Sequence, residues 1–104
     1  MLVCHYDMKK FICVFDKWLE IKDGKRVDSE GPCFPGDYEV VAEVVADCLD
    51  TAFRLTNSID TPWIDNKEVI TIKKNLRSTS VGDVIIATSG KPFIVASCGF
   101  EELN

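Results

Sequence analysis

The last quarter of the chain constrains the fold most, because it encodes a polar turn, a strand, a reversal and a second strand in that order. Residues 77–83 form the polar turn, and the apolar runs 84–87 and 93–97 lie on either side of residues 88–91. Short β-branched runs bounded by turn residues are typical of paired strands. The pattern therefore predicts a closing strand pair. Pro92 should lie at a sheet edge or just outside the ladder, because it has no N–H to donate.

Three segments upstream also predict strands. Residues 38–45 and 69–72 are rich in β-branched side chains, which suit a pleated, half-buried surface. Residues 11–15 are too short and too apolar for periodicity to separate a strand from a helix, and their β-rich composition favours a strand.

A hairpin and a loop are predicted between these strands. The Asp-Gly pair at residues 23–24 is typical of a tight turn, with one strand arriving over residues 18–21 and a short return near Val27. Residues 28–37 contain two glycines and two prolines, which predict a loop.

One segment predicts a helix. Asp47 can cap it by accepting N–H bonds from the first turn, and the Asp-Thr-Pro run at residues 60–62 lies beyond its end. Side chains at helical spacing follow the cap, namely Leu49, Ala52, Phe53 and Thr56. A helix over residues 48–57 between strands predicts an α+β fold, with one twisted antiparallel sheet and a single covering helix.

Length and composition predict a single domain over residues 1–104. The chain is 46% hydrophobic, which suffices for one core. No run approaches the roughly 18 apolar residues of a membrane span, and the N-terminus lacks a signal-peptide pattern, so a cytosolic protein is expected. The cysteines are odd in number and form no CxxC pair, which predicts reduced, mostly buried thiols and no metal site. They are Cys4, Cys13, Cys33, Cys48 and Cys98.

The charge is unevenly distributed along the chain. The net charge is −5, and residues 27–66 hold nine acidic groups and one basic group. This acidic third would repel nucleic acid and could attract a basic partner surface, although a solvated face that keeps a small protein soluble is the favoured explanation. Scattered basic residues and the lack of RNP-like aromatic motifs also disfavour nucleic-acid binding.

The polar turn has two interpretations. A guanidinium and three hydroxyls within four residues can bind a phosphate, and these groups belong to Arg77, Ser78, Thr79 and Ser80. The same residues can instead bond their own backbone, with Gly82 supplying a positive φ and Asp83 fastening the turn. The structural interpretation expects Arg77 to be exposed, with its truncation changing stability by less than about 0.5 kcal/mol.

A second polar cluster follows the helix and includes Asn57, Asp60 and Trp63. Trp63 can anchor a partner or ligand, or it can close the core. His5 is the only histidine and is expected near a floppy terminus. No acid, base and nucleophile occur at a recognisable spacing, so a non-enzymatic protein without catalytic residues or cofactors is expected.

The chain resembles small uncharacterised proteins of phages, plasmids and integrated elements. Three segments carry the resemblance, namely residues 53–63, the turn at 77–83 and Gly99-Phe100. Over residues 40–103 the chain is similar to the ending of YodL-like proteins, which join a Ser-rich turn to a strand, a short reversal and a terminal Gly-Phe. The resemblance implies a mobile-element setting and transfers no catalytic role. Small proteins of that kind often bind and block host proteins, including restriction or CRISPR machinery.

The leading hypothesis is therefore a non-enzymatic interaction protein that binds a host or phage protein in a bacterial cytoplasm. One alternative is a nucleotide or phosphate binder, or a hydrolase, that uses the turn residues Arg77, Ser78, Thr79, Ser80 and Asp83. A second alternative is a small β module that binds nucleic acid. A homodimer is also expected, because a one-helix sheet of this size leaves one face or edge to cover.

Overall fold

Eight strands and one helix lie in the part of the chain that the computed structural model describes. That part comprises residues 1–7, 21–22, 25–26, 32, 34–57, 67–72, 77–96 and 99–103. The strands are β1 (Leu2–Tyr6), β2 (Ile21–Lys22), β3 (Lys25–Arg26), β4 (Tyr38–Val44), β5 (Val69–Thr71), β6 (Val84–Ile86), β7 (Pro92–Val95) and β8 (Phe100–Glu102), and the helix is α1 (Leu49–Thr56).

Six strands form one antiparallel sheet in the order β5-β4-β1-β6-β7-β8. Strands β2 and β3 pair separately as a two-stranded ribbon. The helix packs against one face of the large sheet, with Ala52 fully buried and Phe53 in contact with Phe100. The predicted α+β fold, an antiparallel sheet with one covering helix, is confirmed.

The N-terminal segment is the centre of the sheet, so the prediction of a floppy terminus is wrong. β1 pairs with β4 on one side and with β6 on the other. Val3 lies opposite both Ala42 and Ile85, and the side chains from Val3 to Tyr6 are all buried. The register with β4 shifts at Val3 and Cys4, so Val41 is the extra residue of a β-bulge.

The core lies on both faces of the sheet because neighbouring strand residues point to opposite faces. On the helix side, Val3 and Ile85 pack with Ala52 and their neighbours. On the other side, Cys4 and Val84 pack with Ile94, and Phe34 and Tyr38 lie against them. The helix α1 therefore covers only one of the two buried faces.

The helix agrees with its predicted span to within one residue at each end, but the predicted cap is wrong. The N-cap residue is Cys48, which has extended backbone angles and no side-chain cap bond. Asp47 lies one position outside and is exposed. The carbonyl of Cys48 accepts the first helical bond from the Ala52 N–H at 3.1 Å.

The predicted strands are found where the structure describes them. β4 and β5 match the strands predicted over residues 38–45 and 69–72, and β6 and β7 are the predicted closing pair. The ribbon matches the predicted hairpin, although its Asp-Gly turn lies outside the described residues, as does the strand predicted at residues 11–15.

The end of the chain differs from prediction. Pro92 is the first residue of β7, which is an interior strand because the unpredicted β8 pairs with its other side. Cys4 is buried as expected, but Cys48 is exposed, and the other three cysteines lie outside the described residues.

In the described ranges, no helix combines the length and hydropathy that crossing a membrane would require.

The N-cap assignment predicts different effects at two neighbouring positions. Cys48→Ser should raise the melting temperature by about 3 °C, because a serine oxygen can accept an N–H bond that the cap now lacks. Asp47→Ala should leave the melting temperature nearly unchanged. Thermal unfolding followed by circular dichroism measures both, and a larger loss in Asp47→Ala than in Cys48→Ala would restore Asp47 as the cap.

Candidate functional site

The polar turn at residues 77–83 is fastened to the end of α1. The Thr79 N–H donates to the Thr56 carbonyl at 2.8 Å, and the Asn57 side-chain amide donates to the Thr79 carbonyl. Asn57 and the turn, which are separate features in the sequence, therefore form one cluster. Asp60 and Trp63 lie outside the described residues.

A fully buried carboxylate, that of Asp83, lies at the centre of this cluster. Its two oxygens accept bonds from Arg77 Nη1 at 2.6 Å and Nη2 at 2.7 Å, which is a bidentate ion pair. The Ser80 N–H donates to it at 2.8 Å and the Tyr6 N–H at 3.4 Å. A buried charge requires such partners, because an unpaired one costs several kcal/mol of desolvation.

The guanidinium of Arg77 also joins the turn to β1. Nη2 donates to the Tyr6 carbonyl at 2.8 Å, and Nη1 donates to the Ser78 carbonyl at 3.0 Å. The guanidinium carbon lies 5.0 Å from the centre of the Tyr6 ring, within the range of a cation–π contact. Only 26% of the Arg77 side chain is exposed. The expectation of an exposed Arg77 is therefore wrong.

The turn itself has the geometry that the structural interpretation predicted. Gly82 has a φ of 95°, which side chains other than glycine adopt at a cost. The Asp83 N–H donates to the Ser80 carbonyl at 3.0 Å, and the Gly82 N–H donates to the Val95 carbonyl at 2.8 Å. The Asp83 carboxylate also accepts from the Ser80 N–H, so it fastens the turn.

Two tyrosine hydroxyls add to this anchoring. Tyr6 Oη donates to the Val81 carbonyl at 3.3 Å, and Tyr38 Oη donates to the Gly82 carbonyl. The two rings meet edge to face with their centres 6.0 Å apart. Strands β1 and β4 thus both hold the turn through their tyrosines.

His5 is part of the cluster and is buried on β1. Its Nε2 lies 2.8 Å from Thr79 Oγ1 and 3.8 Å from the nearer Asp83 oxygen. Burial, and then the positive charge of Arg77, lower the pKa of His5 to about 3. The imidazole is therefore neutral at pH 7.

Opposing influences act on the Asp83 carboxyl. Burial raises its pKa above the ordinary value, while the Arg77 guanidinium and the N–H groups of Ser80 and Tyr6 act to lower it. The neighbouring Cys4 thiol has its pKa raised to about 11 by burial and by the charge of Asp83, so it stays protonated. With Asp83 paired to Arg77 and His5 neutral, the cluster has no net charge.

This arrangement limits what the turn can do chemically. A phosphate would have to compete with Asp83 for the Arg77 guanidinium, which is already bound at both terminal nitrogens. Thr79 is fully buried, and the buried Ser80 hydroxyl has no hydrogen-bond partner among the residues that the structure describes. The hydroxyls of Thr79 and Ser80 therefore lie inside the fold, where a substrate would have to displace packed side chains to reach them.

Sequence reasoning missed three residues of the polar cluster and one exposed thiol. Tyr6, His5 and Tyr38 come from strands far from the turn in sequence, and no local motif indicates them. The exposed group is the Cys48 thiol, which lies 3.2 Å from Thr51 Oγ1, and hydrogen bonding by Thr51 lowers its pKa. A Cys-x-x-Thr spacing at a helix start could have indicated that contact.

Comparisons of this chain with protein-family models, with curated proteins and with solved structures each found no match.

The buried ion pair predicts a large effect of removing its cation. Arg77→Ala should lower the free energy of unfolding by about 3 kcal/mol, at the lower end of the range for broken buried pairs because Arg77 keeps some exposure. The matched control is Arg54→Ala, which breaks an ion pair with Asp50 whose side chains are both 70% exposed. That variant should lose less than about 0.5 kcal/mol. Equal losses in urea unfolding would contradict the role of Arg77.

The positive φ of Gly82 predicts a second difference between matched variants. Gly82→Ala should cost about 1 kcal/mol or more, because alanine adopts this backbone conformation only under strain. Gly36→Ala is the control, because a Cβ at Gly36 would meet nothing within 4 Å. Chemical denaturation measures both, and wild-type stability in the Gly82 variant would contradict the turn assignment.

The low pKa of His5 predicts a pH dependence of stability. Between about pH 3 and pH 6.5 the unfolded chain binds a proton at His5 that the folded chain does not, so stability falls as the pH falls. The slope from this residue is at most about 1.4 kcal/mol per pH unit. His5→Gln should reduce the slope measured by urea unfolding in this window. Comparing the two proteins cancels the contributions of the carboxylates that they share, and identical slopes would contradict a neutral buried His5.

Proposed function

We propose that this chain is a non-enzymatic interaction protein of a mobile genetic element, which binds a host or phage protein in the bacterial cytoplasm. The bound protein belongs to a host defence system such as restriction or CRISPR machinery, and binding inhibits it. The resemblance of residues 53–63 and 77–83 to phage and plasmid proteins supports the setting.

One observation carries the binding role. Three large apolar side chains are exposed in the part of the chain that the structure describes: Val45 at 71%, Ile70 at 59% and Ile72 at 61%. Scattered exposed apolar residues are common, but a group of them within one part of a sheet is typical of an interaction surface.

The state of the polar cluster supports a non-enzymatic role. Asp83 and Thr79 are fully buried, and Arg77 forms an ion pair with Asp83. The groups most capable of chemistry are therefore already engaged within the fold. A catalytic group has to lie within hydrogen-bond reach of its substrate. These residues instead hold β1 and the turn together.

Charge supports a protein partner over a nucleic acid. Acidic residues outnumber basic ones by 17 to 12, so a phosphate backbone would be repelled. A basic protein surface would be attracted, and the attraction should weaken with salt.

The proposal predicts both capture and inhibition. The tagged chain should recover a defence protein from the lysate of a restricting host, with the same protein identified by mass spectrometry in repeated preparations. Expression in that host should raise the plating efficiency of unmodified phage. A frameshifted copy of the gene is the control, because it gives the transcript without the protein. Recovery of no protein together with unchanged plating would contradict the proposal.

A further inference from the structure

We draw no further inference here: the strongest candidate, the surface patch of exposed Val45, Ile70 and Ile72 at the β5 edge of the sheet, carries no proposal because nothing in the structure shows what covers it.

Discussion

The rest of the structure depends on the burial of one carboxylate. Asp83 is fully buried, and a charge in that position costs several kcal/mol unless its oxygens have donors. Arg77 and Ser80 supply donors from the turn, and Tyr6 supplies one from β1. These donors come together only when the N-terminal strand lies beside the turn, so the ion pair favours one arrangement of sequence-distant segments over others.

The same requirement explains why the side chains of the polar cluster are held in place. A side chain that is bound to its neighbours within the fold is less able to bind a substrate. Arg77 is bound by Asp83 and by two carbonyls, and His5 is kept neutral by burial and by the nearby cation. A reactive site needs groups that a substrate can reach, whereas Asp83 and Thr79 are fully buried. The stability of the fold and the burial of the Asp83 carboxylate therefore have one physical cause.

Most local parts of the fold could be predicted from the sequence, although the helix cap was wrong and β8 was missed, and the long-range parts could not be predicted. The turn from Ser80 to Asp83 is formed by neighbouring residues, so its composition indicated the geometry. β1 gave no periodic signal, because a central strand buried on both faces has no polar alternation. Tyr6, whose carbonyl accepts a bond from Arg77, lies 71 positions away in the sequence. No rule based on residue spacing predicts a contact at that separation. The expectation of an exposed arginine was wrong for this reason.

The two edges of the sheet differ in a way that bears on function. β8 ends the sheet with two exposed acids, and Lys91 lies 3.7 Å from Glu102 across the adjacent strand. Charged edge residues of this kind oppose the addition of further strands. β5 instead presents Ile70 and the adjoining Ile72 to solvent. A sheet that only had to stay soluble would benefit from charge at both edges. The β5 edge departs from that expectation, since exposed apolar surface at an edge brings a risk of aggregation without any gain in stability.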